Sequence, residues 1–325
     1  MAADALVCTV CSTSFPLRGR DQLMTPRCMR CGASLRAARS PVELPPASPP
    51  EESRETLGNY RLIRRLGRGT MGVVYEASDT RTGRRVALKL LFDAGPDPKA
   101  FLREARAFAA LPPHPSVVAV RNGGVFDGTC CLEMDFVDGV PYHDWRRDHP
   151  AIRAQVAVLR DVACALEHVH AHGIVHRDLK PENVLVDREN RPHLTDFGLA
   201  RLGDGTTSSS SGSGFVVGTP AYVSPEQALR PREADRRSDI YSLGIMLYET
   251  FTGLLPFTGR STVGLLMSVM NDEPPPVTAT PQARRSGADA AMDAIVRRAI
   301  ARRPEDRYPT AAALAEALDA WIGRR

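Results

Sequence analysis

The sequence predicts an α+β protein in which a small β-rich lobe precedes a larger helical lobe, with a short cysteine-rich segment in front of both. Three patterns indicate this: strand-like apolar runs between residues 60 and 92, apolar residues at helical spacing beyond residue 150, and four cysteines within the first 31 residues. A chain of 325 residues fits about two domains. We therefore expect a cysteine-rich segment at 1–38, a linker at 39–57 and a large domain at 58–325, with lobes at 58–138 and 139–325.

Composition places the chain among soluble globular proteins, since 43% of its residues are hydrophobic and 25% are charged. The net charge is only +4 and basic residues are mixed with acidic ones, so composition does not support a nucleic-acid or anionic-membrane partner. The first residues lack the basic start and apolar run of a secretory signal. The most apolar window, 240–257, contains Glu249 and Gly253 and predicts a buried helix. We expect a cytoplasmic protein with no membrane segment.

The cysteines of the first segment form two pairs, Cys8 with Cys11 and Cys28 with Cys31. This spacing is typical of a tetrahedral thiolate site for Zn²⁺, and the segment resembles a zinc ribbon. The alternatives are thiol–disulfide motifs, which have no thioredoxin-like context here, and structural disulfides, which a reducing cytoplasm disfavours. Zinc would supply folding energy that so short a segment cannot obtain from a core. The six arginines of residues 1–40 leave a nucleic-acid role open, but a solvated basic face is the preferred interpretation, because Phe15 is the only aromatic residue among them.

The elements after this segment follow from local patterns. Residues 40–53 are rich in proline and lack apolar periodicity, which predicts an extended linker. Three strands joined by hairpins come next, YRLIRRLG, GVVYEASD and VALKLLF. Asp97 and Pro98 then mark the start of a helix over 99–111. Beyond residue 150 we expect mostly helix, beginning with a long one whose apolar stripe runs from Ile152 to His170.

A glycine-rich turn joins the first two of these strands. Gly67, Gly69 and Gly72 have a spacing that dinucleotide-binding folds also use, but a helix follows there, whereas a strand follows here. Backbone amides in such a turn can approach phosphate oxygens without obstruction by side chains. We expect a phosphate-binding turn that also includes Arg68, Thr70 and Met71.

Lysine is almost absent from this chain, which has only Lys89, Lys99 and Lys180 among its 42 basic residues. Lys89 falls in the third predicted strand, and Lys180 falls in HRDLKPEN, residues 176–183. The motifs DFG (196–198), GTPAY (218–222) and SPE (224–226) follow in order. Residues 58–325 therefore resemble a protein kinase, specifically a eukaryotic-like (Hanks-type) serine/threonine kinase of the bacterial kind.

The resemblance implies a signalling enzyme that transfers the γ-phosphoryl group of ATP to serine and threonine hydroxyls of proteins. It assigns Asp178 to the proton of the accepting hydroxyl and Lys180 to the γ-phosphate. Lys89 would contact the α- and β-phosphates and be held by Glu104. The resemblance also implies that Mg²⁺ or Mn²⁺ is held by Asn183 and Asp196.

Further roles come from the same resemblance. Adenine would lie between Leu66, Val74, Ala87 and Leu185, with Met134 as gatekeeper and hinge backbone groups offered by Asp135 and Val137. Ser224 stands where the family usually has alanine. Bracing roles are implied for four residues: Arg177, Glu226, Asp239 and Arg307.

Regulation and two alternatives stay open. Arg177 needs an anion, which phosphorylation of the activation loop would provide at Ser211 or Ser213, upstream of Thr219. A flexible serine-rich linker explains the same loop composition. The chain could instead be a pseudokinase that binds nucleotide without turnover, or a nucleic-acid-binding ribbon regulated by its kinase domain. Self-association for autophosphorylation is left open by the sequence.

Overall fold

The structure is a computed structural model that describes residues 5–8, 14–16, 35–37, 56–69, 72–92, 98–126, 128–197, 220–230 and 233–324. Its first three strands, β1 (Ala5–Cys8), β2 (Ser14–Pro16) and β3 (Leu35–Ala37), form an antiparallel sheet in the order β2-β1-β3. Cys8 ends β1 and lies opposite Leu35. Cys11, Cys28 and Cys31 lie outside the described residues, so zinc binding stays a prediction.

The first lobe is built on a six-stranded antiparallel sheet in the order β4-β5-β6-β7-β9-β8. Its strands are β4 (Thr56–Leu57), β5 (Tyr60–Arg68), β6 (Gly72–Asp79), β7 (Arg85–Leu91), β8 (Val120–Phe126) and β9 (Thr129–Asp135). The three strands predicted between residues 60 and 92 are confirmed as β5, β6 and β7. The predicted helix is α1 (Pro98–Ala109), which packs Phe101 and Ala105 against Leu132 of the sheet.

The second lobe is mainly helical. Its helices are α2 (Tyr142–Asp148), α3 (Ile152–Ala171), α4 (Pro225–Leu229), α5 (Arg236–Thr252), α6 (Thr262–Asn271), α7 (Pro281–Arg285), α8 (Ala290–Ala299) and α9 (Ala311–Ile322). A small antiparallel sheet, which the sequence pattern did not predict, joins β10 (Gly139–Pro141), β11 (Val184–Asp187) and β12 (Pro192–Leu194) in that order. Among the described helices, none combines the length and apolarity needed to cross a membrane.

Helix α5 is the centre of this lobe. Asp235 caps its start by accepting the amide of Arg237, and Gly253 ends it in the left-handed conformation, with φ of 69°. Glu249 interrupts the apolar window that predicted this helix, yet it is only 4% exposed. Its carboxylate accepts hydrogen bonds from Arg146 and from the hydroxyl of Tyr222. Glu249 therefore links α5 to α2 and to Tyr222 through a buried carboxylate whose two oxygens both have partners.

A second buried crosslink joins α4 to the segment just before α9. The guanidinium of Arg307, whose side chain is fully buried, donates to both carboxylate oxygens of Glu226 at 2.7 and 2.8 Å. Ser238 donates a third hydrogen bond to the same carboxylate. Burial alone would raise the pKa of Glu226, but these hydrogen bonds and the charge of Arg307 outweigh it and hold the pKa below its usual range.

Substitution Glu226→Gln should lower the free energy of unfolding by about 3 kcal/mol at neutral pH, because it leaves the buried Arg307 guanidinium without its anion. The control Glu233→Gln removes an exposed partner of Arg230 and should cost less than about 1 kcal/mol. The difference from wild type should shrink as the pH falls below about 4.3, since protonation of Glu226 removes the same interaction. Urea unfolding of the full chain measures this, and equal losses in the two variants would contradict it.

Candidate active site

The glycine-rich turn closes one side of the cleft between the lobes. The amide of Gly69 donates to the carbonyl of Gly72 at 2.9 Å. A Cβ at Gly72 would lie 2.0 Å from the carbonyl oxygen of Leu90, so β6 can pair with β7 here only without a side chain. A Cβ at Gly67 or Gly69 would meet no atom within 4 Å. Packing therefore does not require glycine at these two positions, and the absence of side chains leaves open space beside the backbone. The guanidinium of Arg68 stacks on Phe92, while Thr70 and Met71 lie outside the described residues.

Lys89 and Asp196 meet across this cleft. Lys89 lies in β7 with its side chain only 7% exposed, and its Nζ is 2.7 Å from Oδ1 of Asp196. Asp196 has a left-handed backbone, with φ of 64°, a strained conformation for a residue with a side chain. The predicted partner Glu104 lies in α1, and its side chain is outside the described residues. In this structure the ammonium is therefore bound by the carboxylate that would also hold the metal.

The loop before β11 gathers three of the predicted residues. Lys180 Nζ donates to Oδ2 of Asp178 at 2.7 Å. Asn183 Nδ2 donates to the carbonyl of Asp178 at 2.7 Å and to its carboxylate at 3.1 Å. Because the amide nitrogen of Asn183 points at Asp178, its amide oxygen points away and is available to a cation. The donor set, one carboxylate and one amide oxygen, suits Mg²⁺ when phosphate oxygens complete the coordination.

Asp239 of α5 anchors the backbone of this loop through hydrogen bonds. Its side chain is 1% exposed and accepts the amides of His176 and Arg177, each at 2.8 Å. His170 Nε2 adds a third hydrogen bond at 2.8 Å. Arg177 has a φ of 65°, so these hydrogen bonds fix a backbone conformation that a residue with a side chain rarely adopts.

The ring of His176 is fixed in the same way. Its Nδ1 accepts the amide of Asp178, and its Nε2 contacts the carbonyl of Thr195 at 2.9 Å. Since Nδ1 accepts, Nε2 carries the proton. The ring also packs against Phe197 at 5.0 Å between centroids. His176 therefore links the loop of Asp178 to the segment of Asp196.

The predicted adenine region lies where β7 faces β9. Ala87 is opposite Met134 in register, and both are buried in one apolar cluster with Val74 and Val137 at its edge. Leu66, in β5, is 39% exposed. The remaining predicted residue, Leu185, lies in β11 opposite Pro141.

Three contacts near the site had no sequence signal that predicted them. Arg121 of β8 binds Asp135 through both of its carboxylate oxygens, at 2.7 and 2.5 Å, and so braces the end of β9. Gln227 of α4 donates to the carbonyl of Arg177 at 2.8 Å. His170, the last residue of the predicted apolar stripe, binds Asp239. The paired residues are 14, 50 and 69 positions apart in the chain, so each contact depends on how separate elements pack and not on a local pattern.

The predicted regulatory residues are mostly outside the described part of the chain. Ser211, Ser213 and Thr219 fall in the segment 198–219, which the structure does not describe. Arg177 directly precedes Asp178 in the same loop, and its Nη2 donates to the carbonyl of Ala234 at 3.3 Å. Phosphorylation of the activation loop therefore stays a prediction.

Comparison with known proteins gives consistent matches. The family model described as the protein kinase domain matches residues 60–318. Serine/threonine-protein kinase Pkn1 of Myxococcus xanthus is 39% identical over 269 residues, which cover 80% of this chain and 38% of that protein. PknB of Mycobacterium tuberculosis is 40% identical over 263 residues, which cover 78% and 41%. This chain thus spans about two fifths of the length of these curated relatives.

A solved structure matches the fold as well. The kinase domain of Mycobacterium tuberculosis PknI superposes with a TM-score of 0.63 at 29% sequence identity. The match covers 82% of this chain and 97% of that domain.

Substitution Asp239→Asn should slow the phosphoryl transfer that a protein kinase domain implies by about 100-fold, because an amide nitrogen would face a backbone N–H and displace the loop that carries Asp178. The control is Asp293→Asn in α8. The carboxylate of Asp293 likewise accepts a backbone amide, that of Val277. This control should lower stability without changing the rate per folded molecule. Steady-state transfer assays combined with thermal unfolding measure both quantities. An unchanged rate in Asp239→Asn would contradict the anchoring role.

Proposed function

The chain belongs to the protein kinase family, and from that premise we propose that it transfers the γ-phosphoryl group of MgATP to serine and threonine hydroxyls of proteins. The observation that carries the proposal is the convergence of Lys89, Asp178 and Asp196 on one cleft. Lys89 binds Asp196 at 2.7 Å, while Asp178 is held by Lys180 and Asn183. Phosphoryl transfer needs positioned charges more than covalent chemistry, and these residues supply both signs of charge.

Each residue has a distinct task in this proposal. Lys89 exchanges its contact with Asp196 for the α- and β-phosphates, and the glycine-rich turn covers the phosphates with backbone amides. Asp178 accepts a hydrogen bond from the substrate hydroxyl and orients its oxygen toward the γ-phosphorus. Lys180, already 2.7 Å from Asp178, stabilises the charge of the transferred group. Serine/threonine specificity follows by family resemblance from the pair Lys180 and Thr219.

Asp196 and Asn183 would hold Mg²⁺ or Mn²⁺, which neutralises charge on the phosphate oxygens when bound. The oxygen atoms named above fit a hard cation. The strained backbone of Asp196 supports this role, because such strain is concentrated at functional sites.

Active transfer and nucleotide binding without turnover make different demands on the site. A pseudokinase does not require the hydrogen-bonded set of Asp178, Lys180 and Asn183. The presence of this hydrogen-bonded set favours an active enzyme. We also propose that the chain autophosphorylates within residues 206–213, that it acts on protein substrates, and that it works in the cytoplasm, where ATP is available and thiols stay reduced.

Substitution Asp178→Asn should reduce transfer from radiolabelled ATP about 10²- to 10⁴-fold, because it removes the group that orients the hydroxyl, while nucleotide affinity is retained. The control Asp319→Asn changes a half-exposed partner of Arg160 and should transfer at the wild-type rate. Phosphopeptide mapping of the wild-type reaction should find modification within 206–213. ATP binding without transfer in wild type would support the pseudokinase instead, and an unmodified loop would overturn the autophosphorylation site.

We propose further that the N-terminal segment binds one structural Zn²⁺ through four thiolates. The register of β1 and β3 supports this, because Cys8 ends β1 opposite Leu35, four residues after Cys31. The described part of this sheet thus pairs Cys8 with a residue that follows the second cysteine pair closely in the sequence. Four thiolates at this spacing suit Zn²⁺ over harder cations.

The full chain should carry one equivalent of zinc by elemental analysis, and Cys28→Ser should lose most of it, because a three-thiolate site binds more weakly. The control Cys164→Ser removes an exposed free cysteine of the large domain and should keep one equivalent. A wild-type chain without zinc would contradict the proposal. A salt-dependent shift of RNA or DNA that depends on this segment would favour the nucleic-acid alternative.

A further inference from the structure

The face of the first-lobe sheet that carries predicted adenine residues also carries charged residues. Val74 and Glu76 are two positions apart in β6, so their side chains lie on the same face of the sheet. The same spacing relates Ala87 and Arg85 in β7, and Ala87 lies opposite Glu76 in register. The apolar cluster that contains Val74 and Ala87 is therefore continued on this face by Glu76 and Arg85.

Glu76 binds two arginines. Its side chain is only 7% exposed, and its carboxylate oxygens accept hydrogen bonds from Nε of Arg64 and from Nε of Arg85, each at 2.7 Å. A register shift between Leu62 and Arg64 in β5 places Arg64 opposite Glu76. Each oxygen of this nearly buried carboxylate thus has a charged donor. The Arg85 guanidinium is held in one direction by its contact with Glu76.

Arg85 reaches the hinge, residues 135–138, which leads from β9 to β10. Its guanidinium carbon lies 3.7 Å from the centre of the Phe136 ring, which makes a cation–π contact. Val86, the next residue of β7, lies opposite Asp135 in register. Phe136 is partly buried. Its ring is therefore held from the sheet, in addition to the constraint of its neighbours in the chain.

A second arginine holds the preceding hinge residue. Arg121 of β8 binds both carboxylate oxygens of Asp135. The amide of Asp135 donates to the carbonyl of Ala119 at 3.0 Å, so of its two backbone groups only the carbonyl can face a base. In the proposed function, Asp135 and Val137 offer backbone groups to adenine, and these two residues flank Phe136. The contacts with Arg121 and Arg85 thus fix the segment that carries those groups.

Adenine and guanine differ at ring position 6, where adenine has an amino donor and guanine has an oxygen acceptor. A carbonyl held in one place accepts the amino group and leaves the oxygen unpaired, whereas a mobile carbonyl distinguishes the two bases less. We propose that Arg85, oriented by Glu76, and Arg121 are positioning residues that fix the hinge and thereby make the cleft select adenine over guanine nucleotides. This inference deepens the proposed function, on which it rests for the use of ATP.

Substitution Arg85→Leu should raise the Kd for ATP about fivefold, the factor expected for the loss of one cation–π contact. The Kd for GTP should change little, because guanine does not use the carbonyl, whereas general loss of structure would weaken both nucleotides alike. Phe136→Leu should have the same effect, and Arg85→Lys should restore part of the affinity, because it keeps the charge but not the planar group. The control Arg84→Leu removes the neighbouring, exposed guanidinium and should leave both constants unchanged.

Calorimetric titration of the full chain with each nucleotide and Mg²⁺ measures these constants. The double variant R85L/F136L should bind ATP no more weakly than the weaker single variant, because both substitutions remove the same contact. Arg121→Leu releases Asp135 instead and should likewise lower the preference for ATP. Effects of R85L and F136L that add would overturn the proposed contact. Variants of Arg85 and Arg121 that keep the wild-type preference for ATP would overturn the proposal, as would a wild type that binds both nucleotides equally.

Steady-state transfer separates this proposal from the proposed function. In Arg85→Leu the KM for ATP should rise while kcat keeps its wild-type value, because Asp178 and Lys180 are unchanged. A fall in kcat at constant KM would overturn the positioning role. A wild type that prefers ATP to GTP in binding but transfers nothing would instead refute the proposed function, and the effect of the variants on binding would still decide the role of the two arginines.

Discussion

One ion pair, between Lys89 and Asp196, connects the sheet of the first lobe to the floor of the cleft. The two residues are 107 positions apart in the chain, and their charged atoms are 2.7 Å apart. Lys89 is almost completely buried, so its charge needs an anion in every state of the site. The proposed reaction uses the same two groups, one for phosphate and one for the cation. Nucleotide binding therefore replaces one pairing of opposite charges by another and leaves neither group unpaired.

The rest of the site depends on buried polar groups that fix strained backbone. The carboxylate of Asp239 is hydrogen-bonded to two backbone amides and one imidazole. The carboxylate of Glu226 accepts hydrogen bonds from Arg307 and Ser238. Burying these polar groups costs desolvation free energy, and the hydrogen bonds among them offset that cost. In exchange, the loop of Asp178 has one defined position. A site that works by positioning charges requires this rigidity more than it requires stability.

Local pattern accounts for much of the fold and for part of the site. Strands β5 to β7, helix α1 and helix α3 follow from apolar spacing and from start signals such as Asp97 and Pro98. The glycine-rich turn and the loop of Asp178 follow from motifs whose residues are neighbours in sequence. The structure brings together Lys89, Asp178, Asn183 and Asp196, which the resemblance had placed in one site.

Long-range partners could not be predicted, because they depend on how distant segments pack. The sheet of β10, β11 and β12 joins strands that are each only three or four residues long, too short for a periodic signal. Glu249 looked like an interruption of an apolar helix, yet it binds Arg146 and Tyr222. Arg121 gave no signal that it would hold Asp135. In each case the partner comes from another element of the fold, so the sequence around the residue alone does not indicate the contact.

The central claim is that the cleft holds a triphosphate through Lys89 and through a cation on Asp196. Calorimetric titration of the full chain with ATP, in the presence and absence of Mg²⁺, tests it most directly. The account predicts saturable binding of one nucleotide per chain that becomes at least tenfold tighter with Mg²⁺. Absence of binding with Mg²⁺ supplied, or an affinity that the cation does not change, would contradict it.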